Sequence, residues 1–233
     1  MISKKNIFII GTDTGVGKSV LSLLFMHHFF INGEKPFYVK PFQTGCTHPS
    51  DQESDACFIY NHIAHLKDQN PAASVLYCFK APKAPWFSAR DELQAVDLTY
   101  VLDSITHIQK NHWPVIIEAA GGIMVPVDEK HLIIDLVKAS GATPVIAARA
   151  GLGTINHSLL TIDALKNKGI TNPIIVFIDQ EATNPKMVRE NMEAIEYFSG
   201  IRVSGVIGPI TDFSNPDPQV LHIIASIIEQ MRF

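Results

Sequence analysis

Two stretches of the sequence carry side chains whose types and spacing suit phosphate chemistry. The first, Gly11-Thr12-Asp13-Thr14-Gly15-Val16-Gly17-Lys18-Ser19, follows an apolar run and precedes a stretch of helical pattern. Gly15 and Gly17 let backbone N–H groups converge on a phosphate, and the helix start adds positive dipole. Lys18 would bridge the outer phosphates, and the Ser19 hydroxyl would ligate Mg2+. The spacing misses the phosphate-loop pattern G-x-x-x-x-G-K-[ST] by one residue, because Thr12 stands where the first glycine belongs and Gly11 is one place early. Thr12 can stand in if its backbone dihedrals are ordinary, and its hydroxyl then faces the site. The second stretch is Pro114-Val115-Ile116-Ile117-Glu118-Ala119-Ala120-Gly121-Gly122. A carboxylate closing a buried strand is costly unless paired or bound to metal. Glu118 is therefore the candidate for a second Mg2+-associated acid, and the small residues after it let a ligand approach the backbone.

Other candidates are weaker by themselves. Lys40 follows the apolar run Phe37–Val39, with Pro41 expected to stop the strand, but an isolated lysine there reads more readily as a solvated one. Asp51, Glu53 and Asp55 form an acidic stretch opening a helix, which is ordinary helix-dipole chemistry.

The elements that must position these groups recur along the chain. Short apolar runs at Ile7–Ile10, Phe37–Val39, Val115–Ile117, Pro144–Ala147, Ile174–Ile178 and Val203–Ile207 are continuous, not alternating, as in strands buried on both faces of a parallel sheet. Helical patterns lie between them, over Lys18–Ile31, Leu98–Lys110, Leu132–Ser140, Ile155–Lys168, Pro185–Phe198 and Gln219–Met231. Strands alternating with helices predict a three-layer α/β/α fold with a mostly parallel central sheet. Residues 1–233 read as a single domain, without repeats or linkers. Ligands of such sheets sit beyond the carboxyl ends of the strands, where the residues above fall.

Composition limits the partners. With 46% hydrophobic and 18% charged residues and a net charge of −4, the chain suits a soluble globular protein without a general nucleic-acid or membrane partner. Only four consecutive apolar residues follow the opening Met1-Ile2-Ser3-Lys4-Lys5-Asn6, too few for a signal-peptide core, and no membrane-spanning run is present. Cys46, Cys57 and Cys78 lack paired spacing and read as reduced thiols of a cytoplasmic protein.

Five motifs, taken together, resemble the dethiobiotin synthetase family of P-loop NTPases. They are Gly11–Ser19, Lys40-Pro41-Phe42-Gln43-Thr44-Gly45, Ser54-Asp55-Ala56, Glu118-Ala119-Ala120-Gly121-Gly122, and Leu152-Gly153-Thr154-Ile155-Asn156-His157, all in the family's order. The resemblance implies a P-loop fold and a cyclo-ligase that joins 7,8-diaminononanoate and CO2 to dethiobiotin. A carbamate and a carbamic–phosphoric anhydride would be intermediates, and nucleoside diphosphate and phosphate would be released. It implies Lys40, Lys18 and Thr12 as catalytic groups and Ser19, Asp55 and Glu118 as Mg2+ ligands. Gly15, Val16, Gly17, Lys18, Ser19, Val20, Asp55, Glu118, Ala119, Ala120, Gly121, Asp179 and Gln180 would hold the nucleotide. Thr12, Lys40, Thr44, Gly121, Gly151, Leu152, Gly153 and Asn156 would hold the second substrate. It further implies a homodimer whose substrate site lies at the subunit interface, with Ala150–His157 taking the carboxylate tail.

Departures from the family pattern fall at the nucleoside end. Asp179 replaces an asparagine that reads adenine; a carboxylate only accepts, so it could take adenine's amine or pair with guanine's N1–H and amine, making GTP a possible substitute for ATP. Val206 replaces a ribose-binding glutamate, Trp86 a histidine and Ala119 a glycine. A zinc site from Cys57, His62 and His65 matches no standard spacing. A partition-type ATPase would carry a lysine where Asp13 stands.

Overall fold

Successive apolar side chains of each central strand enter two cores, one on either face of the sheet. The computed structural model describes residues 5–231; Met1–Lys4, on which the reading of the opening residues partly rests, and residues 232–233 lie outside them. Seven strands, β1 (Ile7–Gly11), β2 (Phe37–Thr44), β3 (Val75–Phe79), β4 (Val115–Gly122), β5 (Thr143–Arg149), β6 (Ile174–Ile178) and β7 (Val203–Ile207), form one sheet in the order β3-β2-β4-β1-β5-β6-β7. Every ladder between them is parallel. Among the described residues eight α-helices cover it: α1 (Lys18–Ile31), α2 (Asp55–His62), α3 (Pro85–Asp91), α4 (Leu98–Ile108), α5 (Ile133–Ser140), α6 (Thr154–Asn167), α7 (Pro185–Ser199) and α8 (Pro218–Gln230). Leu21 and Phe25 of α1, Ile59 of α2 and Ile227 of α8 pack with Ile7, Ile9, Ile116 and Val145 on one face. Val101, Leu136, Ile162, Leu165 and Ile195 pack with Phe8, Ile117, Ile146 and Phe177 on the other. The result is the expected three-layer α/β/α arrangement.

Two expected strand ends move by five residues, while β1 gains Gly11 and β5 extends to Thr143 and Arg149. Pro41 does not stop β2, which continues to Thr44. The β2–β4 ladder ends at Val39↔Ile117, and the β2–β3 ladder continues from Lys40 to Thr44, so the proline's missing N–H faces a side no longer paired. Likewise β4 runs beyond Glu118 to Gly122, where Gly122 still pairs with Gly11. Lys40 and Glu118 thus lie inside strands, not after them. The edge strand β3 and the short helix α3 were not anticipated from the sequence.

β1 is the fourth of seven strands, with β4 and β5 as neighbours. This central position places the loop after β1 between the ends of two other strands, the location where parallel sheets bind ligands.

Candidate active site

The turn between β1 and α1 is shaped by missing side chains. Gly15 and Gly17 have φ of 68° and 90°, and a Cβ at Gly17 would lie 2.6 Å from Ile178 Cγ2. Gly11 is required for room: a Cβ there would meet the Asp13 carbonyl at 2.6 Å and Lys18 Nζ at 3.0 Å. Gly17 caps α1 without a side-chain hydrogen bond, leaving the first amides of the helix without a capping side chain. Thr12 has no positive φ, as its substitution for glycine requires, and its amide donates to the Ala147 carbonyl at 3.1 Å.

The loop opens on a cleft of about 960 Å³. Gly15, Val16, Gly17, Lys18, Ser19 and Val20 line it from the loop side. Lys40, Thr44, Asp55, Glu118, Ala120 and Gly121 line it from β2, α2 and β4, and Gly151, Leu152, Asp179 and Gln180 from the loops after β5 and β6. Thr12, Ala119, Gly153 and Asn156 lie outside that lining, and Thr14 takes the place expected of Thr12.

At the end of the cleft nearest β2, one cation and two carboxylates share a buried cluster. Lys40 Nζ lies 2.6 Å from Asp55 Oδ2 and 2.8 Å from Glu118 Oε1, and also donates to the Ala119 carbonyl at 3.2 Å. Ser19 Oγ is 2.7 Å from Asp55 Oδ1 and 2.9 Å from Glu118 Oε1. A hydroxyl has one proton, so it cannot donate to both carboxylates at once. Glu118 Oε2 is turned away and accepts from Ser22 Oγ at 2.8 Å and Tyr38 OH at 3.0 Å. Asp55 opens α2 behind the Ser54 cap, and its amide donates to Gln43 Oε1 at 3.1 Å.

Burial alone would push the Lys40 ammonium down, but Asp55 and Glu118 outweigh it and hold its pKa above the ordinary lysine value. Burial likewise opposes ionisation of Asp55, and Lys40 with Ser19 reverses this to hold it below the usual carboxylate range. Lys18 lacks such direct partners. Burial, with Lys40 nearby, lowers it to about 8, and its ammonium donates to the Asp13 carbonyl at 3.0 Å. The Tyr38 phenol is raised well above its usual value by burial and by Glu118.

Ser19 Oγ, Asp55 Oδ1 and Glu118 Oε1 form a hard-oxygen set beside a phosphate loop, which suits Mg2+ bound by a few protein oxygens plus phosphate. Among the described residues, no group of three or more His, Cys, Asp or Glu could hold a metal ion. Of the conceivable zinc ligands, His65 stacks on Phe30 and His62 bonds Ser214 Oγ at 2.9 Å.

At the opposite end, both Asp179 oxygens accept from the Thr183 amide at 3.0 Å, and Oδ1 also takes the Thr183 hydroxyl at 2.7 Å. The carboxylate thus closes its own turn as well as facing the cleft. Gln180 Nε2 reaches the Gly208 carbonyl at 3.5 Å, and Trp86 lines a separate hollow. Sequence reasoning missed Ser22, Tyr38, Gln43, Thr183 and Arg149. Periodicity held a signal for two of them: Ser22 lies three residues after Ser19 on a helix, and Tyr38 two before Lys40 on a strand.

Comparisons with known proteins show the family and the fold. A family model described as an AAA domain matches residues 5–217. The ATP-dependent dethiobiotin synthetase BioD of Paramagnetospirillum magneticum is 36% identical over 206 residues, covering 88% of this chain and 89% of the relative. That of Bacillus licheniformis is 33% identical over 232 residues, covering 97% and 94%. Among solved structures, the MinD cell division protein of Aquifex aeolicus superposes with a TM-score of 0.61 at 17% identity, covering 97% of each chain. The pNOB8 ParA bound to nonspecific DNA gives 0.62 at 10% identity, covering 97% and 98%. At such identities the structural likeness speaks for the fold alone.

Proposed function

The chain belongs to the ATP-dependent dethiobiotin synthetase family, and from that membership we propose how its cleft performs the reaction. The protein is a ligase that closes the ureido ring of dethiobiotin in an ATP-dependent step of biotin biosynthesis. One amine of 7,8-diaminononanoate adds to CO2, losing a proton and forming a carbamate. A carbamate oxygen attacks the γ-phosphorus of ATP, and ADP leaves with the bonding electrons. The second amine attacks the carbonyl carbon of the resulting carbamic–phosphoric anhydride, closes the ring and expels phosphate.

Most of this chemistry is positioning and charge neutralisation, since phosphoryl transfer asks little covalent work of a protein. The amides from Gly15 to Ser19 cradle the phosphates, and Lys18 bridges the outer ones. Ser19, Asp55 and Glu118 would hold Mg2+, which supplies neutralisation of the phosphate oxygens. The Lys40 ammonium, beside those two carboxylates, would hold the carbamate and its developing charge. Thr44 and Gly121 line the same cleft and would orient the diamine, with the Thr12 hydroxyl as a further candidate at its edge. One observation carries the reading: Ser19 and Lys40 each lie within 2.9 Å of both Asp55 and Glu118, beside the phosphate loop.

The nucleotide-end departures support GTP as a second phosphoryl donor. Asp179 can accept from guanine's N1–H and amine with lone pairs that Thr183 leaves unused. Competition between ATP and GTP tests this: the idea fails if ATP is strongly preferred and Asp179→Asn leaves that preference unchanged. The working protein is a homodimer in this reading, with the start of α6 of each copy taking the carboxylate tail of the diamine bound by the other. Its three cysteines are free, in keeping with a cytoplasmic enzyme. The decisive assay supplies diamine, bicarbonate, Mg2+ and ATP; phosphate release without diamine dependence, or without dethiobiotin, rejects the proposal.

A further inference from the structure

Arg149, the last residue of β5, is exposed between buried Ala148 and Ala150 and lines the cleft. Among the described residues its side chain forms no ion pair and no hydrogen bond, while its backbone pairs with Ile178 in the β5–β6 ladder. Alternation fixes its direction. Val145 and Ala147 pack in the core beneath α1, and Ile146 and Ala148 in the opposite core, so Arg149 projects on the α1 side. Glu118 projects on that same side from β4, because Ile116 packs beneath α1 while Ile117 and Ala119 do not. β1 lies between β4 and β5, so its loop is flanked by Glu118 on one side and by Arg149 on the other. The guanidinium comes close to the loop itself: Nη2 is 3.8 Å from the point a Cβ on Gly15 would occupy.

We propose that Arg149 binds the phosphate chain of the nucleotide, on the side of the loop opposite the Ser19–Asp55–Glu118 cluster. This rests on the reading of the cleft as the ATP site. A triphosphate held by Lys18 and a metal at one edge leaves its other edge charged, and an unpaired guanidinium is placed against that edge. Its planar fork matches two phosphate oxygens better than an ammonium would. Lys40, by contrast, is buried and already held by two carboxylates, so the two cations divide the work. Arg149 supplies charge to the nucleotide and Lys40 to the second substrate. The diamine's carboxylate is the other anion within range, because Gly151 and Leu152 line the same cleft two and three residues further on.

The test uses the full chain with Arg149→Met and Arg149→Lys, titrated with ADP and with adenosine. Loss of a charged hydrogen-bond pair predicts ADP binding weakened roughly ten- to hundredfold in Arg149→Met and partly recovered in Arg149→Lys. Adenosine binding, and the diamine KM at saturating ATP, should stay within about twofold of wild type. The proposal is overturned if both variants bind ADP as wild type does. It is equally overturned if the diamine KM rises while ADP binding is intact, which would make Arg149 a carboxylate ligand. A wild-type protein that binds no ADP would instead remove the ATP-site reading beneath it. Arg149 is solvent-exposed, and equal melting temperatures of the three proteins separate lost binding from lost folding.

Discussion

Lys40 compensates two carboxylates with one charge, and this has consequences for the enzyme without ligands. Lys40→Ala would leave Glu118 fully buried and Asp55 partly so, facing each other without their cation. Breaking a buried pair by removing one partner costs about 3–5 kcal/mol, toward the low end here because Asp55 retains some exposure. The expected outcome is a lower melting temperature that Mg2+ and ADP restore in part, together with turnover reduced by roughly three orders of magnitude. Calorimetry with and without the ligands, alongside the phosphate-release assay, checks both; an unchanged rate would remove Lys40 from the mechanism. The clamp on the far oxygen of Glu118 makes a separate prediction. Tyr38→Phe keeps the buried ring and deletes only the 3.0 Å hydrogen bond to Oε2. A loss of about 1–3 kcal/mol is expected in denaturant unfolding. Ser22→Ala acts on the same oxygen, so the double variant should be non-additive. Purely additive losses would show that the two hydroxyls do not act as one clamp.

Elements were legible where a period was unbroken. The runs at Ile174–Ile178 and Val203–Ile207 end where β6 and β7 end, and the pattern over Lys18–Ile31 matches α1. Legibility failed where tertiary context decided. Pro41 continues a strand because only one ladder remains there, whereas β3 carries the apolar run Val75-Leu76-Tyr77-Cys78-Phe79 and was legible by the same rule as the other strands. The site followed the same rule: Lys18, Ser19 and Glu118 sit in local motifs, whereas the value of Lys40 depends on two residues distant in sequence. Arg149 was passed over because nothing in the sequence states that β5 neighbours β1.

One element-level contact predicts a pH dependence. His27 of α1 is hydrogen-bonded at 2.9 Å to the carbonyl of Phe213, whose ring packs edge-on against Phe58. Burial pushes the His27 imidazole below its ordinary value, with His62 adding to the shift. The unfolded chain therefore takes up this proton near pH 6.5 while the folded chain waits for lower pH. Between those values the unfolded state binds more protons, so stability rises with pH and is lost as pH falls below about 6.5. His27→Gln, which can still donate to the Phe213 carbonyl, should flatten the fall in melting temperature between pH 7.5 and 5; an unchanged slope would exclude His27 as its source.

At the scale of the molecule, a similar fold serves proteins as different as the MinD cell division protein and a DNA-bound ParA, so the chemistry must come from loops grafted on the fold. In the proposed reading, one grafted segment serves the cleft of a second copy. Gly151 and Leu152 line the cleft, but Gly153 and Asn156 at the start of α6 do not. Gly153 caps α6 without a side-chain hydrogen bond, leaving first-turn amides suited to a carboxylate that the same chain's cleft does not deliver. Leu152 and Leu160 are 95% and 62% exposed, an apolar cost in water that a second copy would relieve. Asn156, Leu160 and Asp163 are exposed at helical spacing along α6, marking the face that would be covered. Leu160→Glu should therefore give a monomer in sedimentation and raise the diamine KM by roughly tenfold or more while ADP affinity stays near wild type, because the phosphate loop lies wholly within one chain. A variant that still dimerises with unchanged KM would move the interface away from α6, and a fully active wild-type monomer would dismiss the shared site altogether.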